Sequence, residues 1–280
     1  FTDTLLAGLQ RHLFKVFPKG MLSLPVDSFT TISLNYARSI QRPNYMQSNQ
    51  SSNYITPYLE RSNNVTVQPA LTDELNAVLQ YHHCSLNLSV ASTTNASFFI
   101  TEYDSVLHKV SMKNQNVHKR MTYASESHIP VTHGHYSSQQ SICLYYEQLS
   151  DPHASLLGCK PYLYVYSNQQ YKFRNGFTAM LTAWIMTRQS NGLFEHGRQF
   201  SVDLALAKII RKRLTLQLQF NDIFRSLNYV EAYTFNGISS GTTYIENQKE
   251  LAFTLKYSLG RTSEFHYRNK DVHEGNQRMN

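Results

Sequence analysis

Residues able to do chemistry are plentiful in this chain of 280 residues, and each group has a plain structural reading beside the chemical one. His82, His83 and Cys84 are consecutive, and His128, His133 and His135 lie close together. Imidazole and thiolate are zinc ligands. In extended chain, however, neighbouring side chains point to opposite faces, so His82 and His83 cannot reach one ion without a turn between them. Both clusters fall where turns are expected, and solvated turns are the reading adopted, with no metal site. A hydrolase would need a nucleophile and a base assembled in one cleft. Serine and histidine are abundant, but no helix–strand alternation is present to carry a nucleophile elbow. The chain therefore reads as not an enzyme, with no catalytic residue and no cofactor. Asp203 stands opposite the apolar side of its segment and reads as a charge facing a polar interior.

Composition narrows the class. Charged residues make up 16% of the chain, against about 25% in ordinary soluble domains. The polar share is filled by Ser, Thr, Asn, Gln and Tyr, with 19 Tyr and 15 Phe against one Trp. That mixture suits strands with one apolar and one polar face, and membrane interfaces where a tyrosine ring is apolar at its body and wet at its tip. The net charge is +7, but the basic residues are scattered. The densest group, Lys208 with Arg211, Lys212 and Arg213, falls in a short turn, and nucleic acid is not an expected partner. Cys84, Cys143 and Cys159 are odd in number and match no metal or redox spacing. No stretch approaches the roughly 18 consecutive apolar residues of a membrane helix. The chain begins at Phe1 rather than Met, which reads as a mature or clipped product.

The elements that must position these residues are strands. Residues 214–221, Leu-Thr-Leu-Gln-Leu-Gln-Phe-Asn, alternate without a break. Residues 251–258 place Leu251, Phe253, Leu255 and Tyr257 on one side. Residues 31–36 and 85–90 alternate as well, and Phe200, Val202, Leu204 and Leu206 share a face. The pattern predicts eleven strands, at 11–22, 28–40, 73–81, 84–103, 116–127, 136–147, 158–167, 172–186, 195–208, 213–224 and 247–258. Their connections alternate in length. Short ones are expected at 23–27, 82–83, 128–135, 168–171 and 209–212, and longer ones at 41–72, 104–115, 148–157, 187–194 and 225–246. Short turns on one rim and long loops on the other mark an outer-membrane barrel. A single-chain bacterial barrel closes with an even number of strands, so an odd count predicts part of something larger.

Three segments carry a family resemblance. Asn221-Asp222-Ile223-Phe224 ends an alternating strand, and a Tyr-rich loop then leads to a last strand ending Lys256-Tyr257-Ser258-Leu259-Gly260. Upstream, Ser33 to Tyr45 runs into Arg42-Pro43-Asn44-Tyr45. Asn63-Asn64-Val65 through Pro69 follows, although the family's glycine is missing there and Ala70 stands where it has Glu. In order and spacing the chain resembles the TonB-dependent outer-membrane receptors, especially a β-barrel branch abundant in Bacteroidetes.

The resemblance implies an all-β, antiparallel up-and-down transmembrane barrel of about 22 strands, of which this chain holds roughly the last half. Residues 1–260 would be that barrel portion, and 261–280 a short polar tail. Arg42, Pro43, Tyr45, Asn221, Asp222 and Phe224 are the motif positions, and Leu251, Phe253, Leu255, Tyr257 and Leu259 the lipid face of the terminal strand. The implied location is the bacterial outer membrane, and the implied function nutrient uptake, with the ligand unspecified. The implied partners are membrane lipid, an upstream plug and barrel half not contained in these residues, and the TonB system. The resemblance leaves room for a surface lipoprotein as well. Two alternatives stand beside it: a free-standing small barrel whose interior is the pore, and a soluble β-sandwich binding protein.

Overall fold

The computed structural model describes residues 2–5, 9–12, 14–44, 52–106, 108–210, 213–246 and 248–259. All regular structure in them is β. The strands are β1 (Thr2–Leu5), β2 (Leu9–His12), β3 (Lys19–Pro25), β4 (Thr30–Gln41), β5 (Ser52–Thr56), β6 (Leu59–Ser62) and β7 (Ala70–Tyr81). Then come β8 (Cys84–Asp104), β9 (Lys109–His133), β10 (Tyr136–Ser150), β11 (Tyr162–Lys172), β12 (Phe177–Met186), β13 (Gln189–Ser190) and β14 (Phe194–His196). The last are β15 (Gln199–Ile210), β16 (Leu214–Asn221), β17 (Tyr229–Phe235), β18 (Ile238–Tyr244) and β19 (Glu250–Tyr257).

Eleven of these make one continuous meander, in the order β3-β4-β7-β8-β9-β10-β11-β12-β15-β16-β19. Every neighbouring pair along it is antiparallel, and each of its strands overlaps one predicted strand, although the first, expected at 11–22, is strand in this sheet only from Lys19 to Pro25. The sheet does not close. Among the described residues β3 pairs only with β4, and β19 only with β16. A small closed cylinder would need those two edges to meet.

Period-two alternation gives this sheet two unlike faces. Cross-strand partners share a face, so registers extend each row. On the apolar face Leu218 sits between Leu206 and Phe253, and Phe220 between Leu204 and Leu251. At the far end Ile32 lies between Leu24 and Leu79. The opposite face pairs Asn35 with Asn76, Asn87 with Glu126, Thr182 with both Asn168 and Asp203, and Gln217 with Thr254.

The connections sort onto two rims as expected, with corrected boundaries. Among the described residues one rim carries only tight turns. In the first of them the Phe29 amide donates to Asp27 Oδ1 at 2.7 Å and the Thr30 hydroxyl to Oδ2 at 3.0 Å. The Phe29 amide, helped by the Thr30 hydroxyl, holds the Asp27 carboxyl below its usual range. The turns at His82-His83 and Gly134-His135 are two residues long. Both have a left-handed residue, His82 at φ 49° and Gly134 at φ 57°. The predicted turn at 128–135 is largely strand, because β9 runs to His133, and 168–171 lies inside β11, with the turn following at 173–176. Aromatic side chains cluster at this rim: Phe29 stacks on His82 at 4.3 Å, and Tyr171 meets Phe173 edge-on at 4.6 Å.

The other rim is elaborated. The predicted loop 104–115 is mostly strand, since β8 and β9 continue as a hairpin of 21 and 25 residues, β8 ending at Asp104 and β9 starting at Lys109. Midway, Asn95 takes φ 56°. Beyond it the buried positions of β8 change from odd, Thr93, to even, Ala96 and Ile100. Within the predicted loop 41–72, β5 and β6 form a hairpin, and β6 adds to β9 in parallel. The connections on either side of the β15–β16 hairpin supply β13, β14, β17 and β18, which form a separate four-stranded sheet. That small sheet packs against the long hairpin through Ile100, Val117, Leu149, Leu193, Tyr233 and Phe235, the largest buried apolar cluster among the described residues. The Tyr233 hydroxyl locks it, accepting from the Thr101 amide at 2.8 Å and donating to the Thr101 carbonyl at 3.2 Å. Burial pushes the Tyr233 phenol above its usual pKa. The main core of this molecule therefore lies among its loops, because the barrel wall is a single layer with no second sheet to pack on.

Candidate functional site

The polar face of the wall and the elaborated rim together form the candidate site. Its floor is aromatic. Tyr145 on β10 and Tyr162 on β11 stack at 5.1 Å, and Tyr164 approaches Trp184 of β12 at 6.1 Å. Tyr162, Tyr164 and Tyr166 alternate with Leu163 and Val165 along β11 and share one face. The Tyr145 hydroxyl donates to Glu126, and the Asn191 side-chain Nδ2 to Glu147 Oε1 at 2.9 Å. A small cavity of about 170 Å³ lies here, walled by Tyr145, Glu147, Lys160, Tyr162 and His196 among others.

A larger cavity of about 770 Å³ opens between the ends of β12, β15, β16 and β19 and the described loop residues Asp222, Leu227, Tyr229, Glu246, Gln248 and Lys249. Asp203 comes from β15, alternating out of phase with Val202 and Leu204. The Ser201 hydroxyl donates to its Oδ1 at 3.1 Å and the Asp222 amide at 2.7 Å. Asp222 closes the strand. It takes φ 43°, and its Oδ1 accepts from the Ser226 amide at 2.8 Å and the Ser226 hydroxyl at 2.9 Å. The same hydroxyl also reaches the Phe200 carbonyl at 2.7 Å. The Asn-Asp-x-Phe segment is thus the turn that fixes where the wall ends and the loop begins.

The other predicted positions fall as follows. Arg42 and Pro43 follow directly on β4, and Tyr45 lies outside the described residues, as do Arg211, Lys212 and the tail 261–280. Asn221 ends β16, and its side chain donates to Glu250 at 3.2 Å. Phe224 is exposed beyond the turn. Leu251, Phe253, Leu255 and Tyr257 share the apolar face of β19, whereas Leu259 lies past the end of that strand. Lys208, predicted in a turn, is instead in β15 and donates to the Asn175 carbonyl at 2.7 Å. His128 is in strand, 3.3 Å from the Ser141 hydroxyl. Among the described residues no three His, Cys, Asp or Glu side chains gather as a metal-binding group.

Sequence reasoning missed Trp184, Glu246 and Glu250 as cavity residues. Trp184 was legible from phase, two positions from Thr182 on the polar face. The loop residues carry no such signal. One motif was also passed over: Gly237-Ile238-Ser239-Ser240-Gly241 has the Gly-x-Ser-x-Gly spacing of a nucleophile elbow. It forms the β17–β18 hairpin rather than a strand-to-helix turn, and Ser239 contacts the Thr234 hydroxyl at 3.3 Å rather than a base.

A one-layer antiparallel meander, apolar on one face and polar on the other, with tight turns on one rim and built-up loops on the opposite one, defines the wall of an outer-membrane β-barrel. The chain belongs to the outer membrane protein beta-barrel family, which it matches over residues 7–257, and its place is the bacterial outer membrane. Comparison with curated proteins finds no match. Solved structures share the fold. The siderophore receptor PirA of Pseudomonas aeruginosa has a TM-score of 0.55 at 14% identity, over 81% of this chain and 42% of that one. The copper transporter OprC has a TM-score of 0.57 at 15% identity, over 79% and 34%. The ferric enterobactin receptor PfeA of Pseudomonas aeruginosa, a mutant form, has a TM-score of 0.53 at 12% identity, over 75% and 35%. The chain thus spans about a third to two fifths of the length of these receptors and accounts for part of a barrel.

In such barrels the long loops face outward and the short turns the periplasm. An epitope inserted after Val106, at the tip of the long hairpin, is expected to bind antibody on intact cells. One inserted between Arg174 and Asn175 should bind only after the outer membrane is permeabilised. Reversed labelling would invert the orientation of the whole wall.

Proposed function

We propose that this chain is the C-terminal part of the barrel of a TonB-dependent receptor that imports a nutrient, and that it is not an enzyme. The observation that carries the reading is the unclosed eleven-strand sheet, with one partner for each terminal strand. Its likeness to siderophore and copper receptors over about a third to two fifths of their length supports the same reading. The complete barrel would have about 22 strands, the missing ones pairing with β3 and β19. The apolar face, including Leu251, Phe253, Leu255 and Tyr257, meets lipid. An upstream plug fills the interior, TonB moves it, and the loop sheet, which a surface lipoprotein could cap, forms the rim past which cargo enters.

The test compares growth of cells lacking this gene with cells lacking TonB across defined media, each with a single source of iron, copper, carbon or vitamin. Every medium on which loss of the gene slows growth should be one on which loss of TonB does so too. A growth defect specific to the gene, on a medium where TonB is dispensable, would point to a passive pore instead.

A further inference from the structure

The larger cavity has a charge opposite to that of the chain. The chain is net positive, at +7, yet the cavity wall holds four carboxylates, Asp203, Asp222, Glu246 and Glu250, against one ammonium, Lys249. Carboxylates alone would mean little on a solvated surface. Asp222 is different: it is 1% exposed, and while its Oδ1 accepts from Ser226, its Oδ2 is buried with no hydrogen-bond partner. An uncompensated carboxylate oxygen in a site shielded from water is costly, and it projects a negative potential that water screens weakly. The same wall presents the indole of Trp184 and the phenol of Tyr229, the latter stacked on Tyr244 at 4.7 Å. Gln199, Asn221 and Gln248 add neutral hydrogen-bonding groups.

We propose that this cavity receives an ammonium or guanidinium group of an organic cation carried by the cargo. The inference rests on the receptor reading above and names the class of cargo that reading leaves open. Carboxylates match the fork of a guanidinium, and aromatic faces attract cations. A bare metal ion fits less well, because no three acidic, His or Cys groups converge on one point among the described residues. An anionic cargo would meet like charge on most of this wall. The volume, about 770 Å³, is that of an ordinary small-ligand site.

The test uses the full-length protein, plug included, in lipid nanodiscs, with tri-arginine and tri-glutamate as probes in calorimetric titrations. Tri-arginine should bind, and its affinity should fall about tenfold or more in a D203N/E250Q variant, as removal of charged hydrogen-bond partners requires. Its affinity should also fall as salt rises, and tri-glutamate should not bind. Equal or tighter binding of tri-glutamate overturns the proposal, and so does unchanged tri-arginine affinity in the variant. If tri-arginine does not bind and the variant instead melts at lower temperature, a cationic side chain of the plug occupies the cavity, and the proposal also fails. None of these results touches the growth comparison with TonB, so the receptor reading stands or falls separately.

Discussion

Leu218→Arg is expected to lower the folding free energy in lipid vesicles by roughly 2–4 kcal/mol, the cost of arginine on the lipid face near the bilayer midplane. Leu218 is the residue to choose because it sits in the middle rows of the apolar band, between Leu206 and Phe253. The next row, Leu216 with Leu255, also contains Lys208, which already reaches the carbonyl of Asn175 in a short turn. A long cationic side chain there can extend to the interface, so Leu255→Arg should cost less than Leu218→Arg. Gln217→Arg, one position away on the polar face, should cost well under half as much as Leu218→Arg. Reversible unfolding of the full-length protein in vesicles measures all three. Equal losses at 217 and 218 would mean that the two faces are not lipid and water, and would remove the membrane assignment.

Residues 1–280 produced alone are expected not to form a stable pore. β19 has eight residues, and on its open side the backbone groups would face hydrocarbon unpaired. Each such group costs several kcal/mol, so the edge as a whole costs on the order of tens of kcal/mol. That exceeds the roughly 5–15 kcal/mol of stability a folded protein has to lose. Refolded alone into vesicles, the chain should remain protease-sensitive and give no steady single-channel conductance. Adding the proposed upstream barrel half should make the chain protease-resistant. A discrete, long-lived conductance from these residues alone would show that β3 and β19 can join, and would replace the partial-barrel reading with the small-pore one.

The sequence was most legible where a strand has one apolar and one polar face. Residues 214–221 and 251–257 show this, and their faces are as read. The long hairpin was not legible in full, because above the membrane neither face of β8 or β9 needs to be apolar. Residues 111–116, Ser-Met-Lys-Asn-Gln-Asn, have no hydrophobic period, and the kink at Asn95 breaks the phase of what precedes them. The loop sheet was hidden for another reason. β13 and β14 are two and three residues long, too short to show any period, and they exist only because Leu193 and Tyr233 are buried against a distant hairpin. The candidate cavity was half legible: Asp203 by its phase and Asp222 by its motif, but not the loop residues that complete it.

The meander also has a consequence for the order in which the molecule is made. Each strand of the wall pairs with the one before it in that wall, so the wall can grow by short loop closures, which cost little chain entropy. The loop sheet cannot form that way. Tyr233 meets Thr101 across 132 residues of sequence, and six further strands of the wall, β9, β10, β11, β12, β15 and β16, lie between them along the chain. Contacts of such separation are slow to form. The wall can therefore be in place before its outer rim is ordered, and the Tyr233–Thr101 clasp is among the last bonds to form.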